Sequence, residues 1–93
     1  MVTALVNILC DVDRIPEVAQ TLADLDGVSE VYSVTGEIDL VAIVRVRTHD
    51  ELAEVIPGRI NKVEGVQSTE THIAFRTYSR HDLEAAFALG LEG

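Results

Sequence analysis

GVSEVYSVTGEIDLVAIVRV, Gly27 to Val46, is the stretch on which the reading of the fold turns. Val28, Glu30, Tyr32 and Val34 interleave with Ser29, Val31, Ser33 and Thr35, the two-residue period of a half-buried strand. Leu40–Val46 is a run of aliphatic and β-branched residues at strand length. Between them Thr35-Gly36-Glu37 makes a tight turn, with glycine supplying the backbone freedom a hairpin needs. The stretch therefore predicts two antiparallel strands joined by a glycine turn.

Working outward, Ile15, Val18, Leu22 and Leu25 recur at three- and four-residue spacings, which places them on one helical face. Asp13 is positioned as the N-cap and Pro16 in the first turn, where its missing N–H costs little. Gly27 supplies the positive-φ stop. Downstream, Thr48 with Glu51 three residues later has the capping-box pattern. The stripe that follows is Leu52, Val55/Ile56, Ile60 and Val63, ending at Gly65. Pro57-Gly58 should kink or split this helix, because proline removes one hydrogen bond and clashes with the preceding turn.

Ala4–Ile8 reads as a first strand. In the last strand Thr69, Thr71, Ile73 and Phe75 alternate with Glu70, His72, Ala74 and Arg76. The chain is thus written twice: a shift of 38 residues lays Val18 on Ile56, Leu22 on Ile60, Leu25 on Val63, Gly27 on Gly65 and Val28 on Val66. Two β-α-β units predict an α+β, ferredoxin-like domain over residues 1–78, with two helices on one side of a four-stranded antiparallel sheet. The other side carries aliphatic residues and requires a cover, for which a second copy is the simplest candidate. Residues 79–93, with Ser79, Leu83, Ala86, Phe87 and Gly90, read as a short amphipathic helical extension packing across a subunit.

The chain has 93 residues, 47% apolar and 25% charged, which suits one small globular domain. A core this small gives a monomer marginal stability and favours burial between subunits. Seven basic against sixteen acidic residues leave a net charge of -9, and neither Arg45/Arg47 nor Arg76/Arg80 forms a basic patch. Direct contact with nucleic acid or an anionic membrane is therefore not expected. The longest apolar run, Leu40–Val44, is too short to span a bilayer, and no signal segment precedes it, which points to the cytoplasm. Cys10 lies in an apolar run and reads as a buried thiol.

Catalytic and cofactor motifs are absent from the pattern. His49, His72 and His81 fit no zinc spacing, no glycine-rich phosphate loop occurs, and no cofactor is expected. Tyr32 and Tyr78 read as packing residues at subunit contacts. On the residues alone, Gly36 makes a turn and Asp39 caps it.

Two motifs carry a resemblance. Val34-Thr35-Gly36-Glu37-Ile38-Asp39, followed by Leu40-Val41, resembles the Val-Thr-Gly-x-x-Asp turn and aliphatic strand in the effector-binding (RAM) domain of the Lrp/AsnC regulators. EGVQSTETHIAF, Glu64 to Phe75, resembles the final strand of that domain. The likeness covers residues 2–78. Promoter-binding members carry an N-terminal helix-turn-helix domain, and this sequence starts at the first effector-domain strand, so it resembles a stand-alone version.

The resemblance implies a sheet-on-sheet dimer, dimers associated into rings (often four dimers), and amino-acid effectors bound between dimers. It also implies a role in transcription regulation, with a full-length DNA-binding regulator as a possible partner. The groups it implicates are Thr35, Gly36, Glu37, Ile38 and Asp39 in the turn, and Gln67, Ser68, Thr69, Glu70 and Thr71 in the final strand of a neighbouring chain. Such groups suit the task, since turn N–H groups can hold a carboxylate while Asp39 or Glu70 accepts from an ammonium. Two other readings stand beside sensing. One is a small dimeric ferredoxin-like enzyme of the monooxygenase kind, although the uniformly aliphatic helix stripes leave it little room for a polar cavity. The other is a purely structural oligomerisation module.

Overall fold

A computed structural model describes residues 1–78 and Arg80. The elements are β1 (Val2–Cys10), α1 (Ile15–Ala23), β2 (Val28–Ser33), β3 (Leu40–Val46), α2 (His49–Val55) and β4 (Val66–Ile73). Single 3-10 turns at Val12–Arg14 and Ile60–Lys62 precede α1 and follow α2. The sheet is antiparallel throughout, in the order β2-β3-β1-β4. This is the ferredoxin-like β-α-β-β-α-β arrangement. Among the described residues no helix is long and apolar enough to cross a membrane. The helical extension expected at 79–93 lies outside the described residues, Arg80 apart.

The core lies between the helices and one side of the sheet. Ala4, Val6, Ile8 and Cys10 of β1 and Leu40, Ala42, Val44 and Val46 of β3 alternate onto that side and are buried. Val18 and Leu22 of α1, Leu52 and Val55 of α2, and Ile60 close it from above. Among the described residues no polar or charged side chain is buried. The opposite side, with Leu5, Leu9, Val41 and Ile43 at its centre, has no helix of the described residues over it.

Local structure departs from the sequence reading in four places. Asp13 caps nothing: it sits inside the 3-10 turn, and Arg14 takes the N-cap position without a side-chain bond. Backbone groups do the work instead, since Asp11 N–H donates to Gly65 O (2.9 Å) and Arg14 N–H to Asp11 O (3.0 Å). In β2, Val28 pairs with Val44 but Glu30 pairs with Ile43, so Ser29 is bulged out. The bulge puts Val31 on the core side and Glu30 and Tyr32 on the open side, where simple alternation had grouped Val28 with both. The β2–β3 connection is longer than a tight turn, with Val34 to Asp39 all outside the strands. Finally, β4 stops at Ile73, which leaves Phe75 beyond the sheet.

The second helix behaves as its sequence requires. Thr48 Oγ1 accepts from Glu51 N–H (3.2 Å), and Glu51 Oε2 accepts from Arg47 N–H (2.9 Å). The helix ends at Val55 ahead of Pro57-Gly58, and Ile60 resumes the apolar stripe in the 3-10 turn.

The repeat has a packing consequence. Gly27 (φ 94°) and Gly65 (φ 98°) follow the two helical segments at equivalent positions. A Cβ on Gly27 would stand 2.6 Å from Val55 Cγ2, and one on Gly65 2.7 Å from Val18 Cγ2. The segment after each helix is thus pressed against the other helix. Gly36 (φ 108°) has nothing within 4 Å of its missing Cβ.

Urea denaturation separates strain from clash at these glycines. Gly36→Ala should cost about 1 kcal/mol, from backbone strain alone. Gly27→Ala and Gly65→Ala should each cost about 2–4 kcal/mol, strain plus overpacking. Equal losses at all three positions would show that the valine contacts do not matter.

Candidate functional site

The Val34–Asp39 connection is fastened to the end of β1 by Asp39. Its N–H donates to Ile8 O (3.0 Å), and its O accepts from Val34 N–H (3.1 Å). Its carboxylate Oδ2 accepts from Cys10 N–H (3.0 Å), satisfying a donor where the β1–β4 register shifts. β3 begins at Leu40, opposite Ile8, so no strand residue faces the Cys10 N–H and the Asp39 side chain takes that place. The Cys10 thiol, buried beside this clamp, has its pKa pushed up by burial first and then by the Asp39 and Asp11 carboxylates.

The clamp holds the connection against β4 of the same chain. Ile8 is flanked by Leu40 of β3 and Thr69 of β4, and Leu9 pairs with Ser68. Here a cavity of about 340 Å³ opens at the sheet end, lined by Asn7, Leu9, Glu37, Ile38, Ser68, Thr69 and Glu70. Glu37 and Ile38 come from the connection; Ser68, Thr69 and Glu70 come from β4. The resemblance drew the strand from a neighbouring chain, whereas this chain sets its own strand beside its own turn.

The remaining expected residues stand elsewhere. Thr35 and Gly36 are exposed at the crest of the connection and do not line the cavity. Asp39 is occupied with Cys10. Gln67 Nε2 donates to Asp11 Oδ1 (2.8 Å). Thr69 does line the cavity, but its Oγ1 donates to Asn61 Oδ1 (2.8 Å). Thr71 pairs with core-facing Val6, so it lies on the helix side of the edge strand. Asn7 and Leu9 went unnoticed in the sequence. The signal was present: Asn7 is a lone amide inside an aliphatic strand, on the side opposite Val6 and Ile8.

Two carboxylates, one amide, two hydroxyls and two aliphatic side chains make up the lining. None of the lining residues is His, Cys, Lys or Arg. Glu70 Oε1 lies 2.7 Å from His72 Nε2, next along the open side of β4. At the far edge of that side, Tyr32 OH donates to Glu30 Oε2 (2.6 Å) and Arg45 Nη1 to Glu30 Oε1 (3.2 Å). These bonds hold the Glu30 carboxyl below its ordinary pKa and raise the Tyr32 hydroxyl above its own. The apolar centre of the open side is thus bordered by polar groups already paired with each other.

A family model for the Lrp/AsnC ligand binding domain matches residues 3–83. An uncharacterised HTH-type transcriptional regulator of Pyrococcus horikoshii is 31% identical over 71 residues, 76% of this chain and 47% of its own length. This chain therefore spans about half the length of the curated relatives it matches. Among solved structures, TTHA0845 from Thermus thermophilus superposes with a TM-score of 0.80 at 46% identity, covering 86% of this chain and 100% of that one. AsnC of E. coli superposes with a TM-score of 0.77 at 30% identity, covering 82% of this chain and 52% of AsnC.

Asp39→Ala should lower stability by about 1–3 kcal/mol in urea denaturation, because it strands a part-buried N–H, while Asp39→Asn keeps an acceptor and loses less. A second measurement probes the thiol. Iodoacetamide at pH 8 should label native Cys10 far more slowly than the urea-unfolded chain, since a raised pKa lowers the thiolate fraction and burial limits access. Equal rates would show that Cys10 is neither buried nor perturbed.

Proposed function

This chain belongs to the family of Lrp/AsnC ligand-binding domains, and we propose that it is a non-catalytic sensor of an amino-acid-like effector, working as an oligomer. The observation that carries the proposal is the cavity between the Val34–Asp39 connection and β4. Its volume lies at the small end of ligand sites, which run from about 300 Å³ upward. Its chemistry suits a zwitterion. Glu37 or Glu70 accepts from the ammonium, while the Asn7 amide and backbone N–H groups of the connection receive the carboxylate. Leu9 and Ile38 accommodate an aliphatic portion. With Asp39 tied to Cys10, the acceptor role passes to the glutamates. A nucleophile with an adjacent base, as acyl or phosphoryl transfer requires, does not fit this lining.

The open sheet side supplies the second half of the reading. Leu5 and Leu9 are 38% and 37% exposed, with Val41 and Ile43 beside them. Packing this side on its equivalent in a second copy buries them about a two-fold axis. The cavity opens at the border of the same side, so further association of dimers walls it in. Effector binding then biases assembly by its differential affinity for the assembled state. The net charge of -9 argues against contact with DNA by this chain, so regulation would pass through a DNA-binding partner.

A thermal-shift screen of the twenty amino acids, run with light scattering, tests the sensing. One ligand, or a chemically related few, should raise Tm by several degrees at about 100 times Kd and change the particle size. Glu70→Gln should abolish that shift without altering the ligand-free Tm. A large ring unresponsive to every ligand would replace the sensor with a scaffold, and an unresponsive dimer would restore the enzyme reading. Leu5→Arg should halve the mass of the assembled particle while leaving the far-UV spectrum unchanged; an unaltered mass would sink the sheet-on-sheet dimer.

A further inference from the structure

Past Ile73 the chain makes one more sheet-like bond, Ala74 N–H to Thr3 O (2.9 Å), and then leaves the body. Phe75 is 99% exposed and Tyr78 81%, so among the described residues nothing covers either ring. From Ala74 to His81 the sequence holds Arg76 and Arg80 and no acid, whereas residues 1–73 hold five basic residues against thirteen acidic ones. An arm carrying two aromatic rings and the Arg76 guanidinium therefore extends from an acidic body.

The body has a complementary cleft. On the helix side, about 230 Å³ opens between Asp26, Glu51 and Glu54 over a floor of Gly27, Val46 and Val55. Its one basic group, Arg59, donates Nη1 to Asp26 O (3.0 Å), and Glu51 is bonded to Arg47 N–H. Glu54, by contrast, makes no ion pair among the described residues. The apolar floor with an acidic rim matches an arm of aromatic rings and guanidinium. The open side of the sheet matches it less well, because Glu30 on its rim is already paired with Arg45.

The geometry points to this cleft as the docking site for the Phe75–Tyr78 arm of a second copy. Arm and cleft lie at the same end of the sheet: β4 ends beside Thr3 and Ala4, and Val46 pairs with Val2. A two-fold axis at that end brings each arm onto the other copy's cleft, a reciprocal contact made twice. Each Phe75 moves from water onto the valine floor, and Arg76 reaches the Glu54 carboxylate. This contact uses neither the open sheet side nor the cavity beside Glu37 and Glu70, so it can join dimers built by sheet packing into larger particles.

Sedimentation velocity on the full chain at about 50 mM and about 500 mM salt tests the arm, because a contact between opposite charges weakens with screening. The parent should assemble beyond a sheet-packed dimer at low salt and less at high salt. Phe75→Ser, Arg76→Glu and Glu54→Arg should each weaken that step by about tenfold or more, and Arg76→Glu with Glu54→Arg should recover most of the loss. None alters a core residue, and unchanged thermal melts check that the fold is intact. Leu5→Arg separates the two interfaces: it should still form a salt-sensitive dimer through the arms. Parent-like assembly of any single arm or cleft variant, a double variant no better than the singles, or a parent that stops at the sheet-packed dimer overturns the proposal. A Leu5→Arg chain assembling like the parent refutes the sheet contact alone.

Discussion

Val55 stands against the Cα of Gly27, and Val18 against the Cα of Gly65, at distances no side chain on either glycine would allow. Each contact joins the end of one β-α-β unit to the helix of the other. Together they fix both helical segments over the same side of the sheet, and everything else follows from that placement. The core-facing residues of β1 and β3 are sealed beneath Val18, Leu22, Leu52, Val55 and Ile60 without a single buried polar side chain. Neither of these helices covers the reverse side, and its apolar centre is the surface from which the oligomeric reading starts.

A core made only of aliphatic side chains is non-directional, so it stabilises the fold without fixing the loops. Directional bonds do that at the edges. Asp39 is the most consequential, because two of its groups tie the β2–β3 connection to β1 and a third closes the connection on Val34. Its carboxylate is committed to a backbone donor, and the nearby Glu37 and Glu70 carboxylates are left to face the cavity. A turn held in this way is preorganised, so a ligand seated between it and β4 would lose little affinity to ordering it. The same clamp adjoins Cys10 at the register shift of β1, which couples the geometry of the site to the integrity of the core.

The distribution of charge divides the surface by task. At the β2 edge of the open sheet side Glu30 is paired with Arg45, which lowers the cost of bringing two such edges together. On the helix side acids prevail, and Arg76 lies on the exposed segment beyond β4. A small acidic body of this kind repels copies of itself at long range, so any association needs apolar complementarity or a local opposite charge at contact.

The sequence by itself determined the pieces and their order. Alternation in 40–46, the three-and-four spacing of Ile15, Val18, Leu22 and Leu25, the Thr48–Glu51 cap and the break at Pro57-Gly58 are local signals. They depend on residues within one or two turns of each other, and the 38-residue repeat displayed them twice. The turn motif and the Thr69–Thr71 strand were likewise legible as a family pattern. Tertiary structure decided what depends on register between distant strands. The bulge at Ser29 exists only against Ile43 and Val44, and it reversed the side on which Val31 and Tyr32 lie. Asp39 became a clamp because Cys10, twenty-nine positions earlier, presents an N–H just past the point where the β1–β3 ladder ends. Asn7 and Leu9 entered the cavity because β1 runs between β3 and β4, a placement no local period encodes. A strand's period fixes which residues share a side; only its pairing fixes which side, and beside which neighbours.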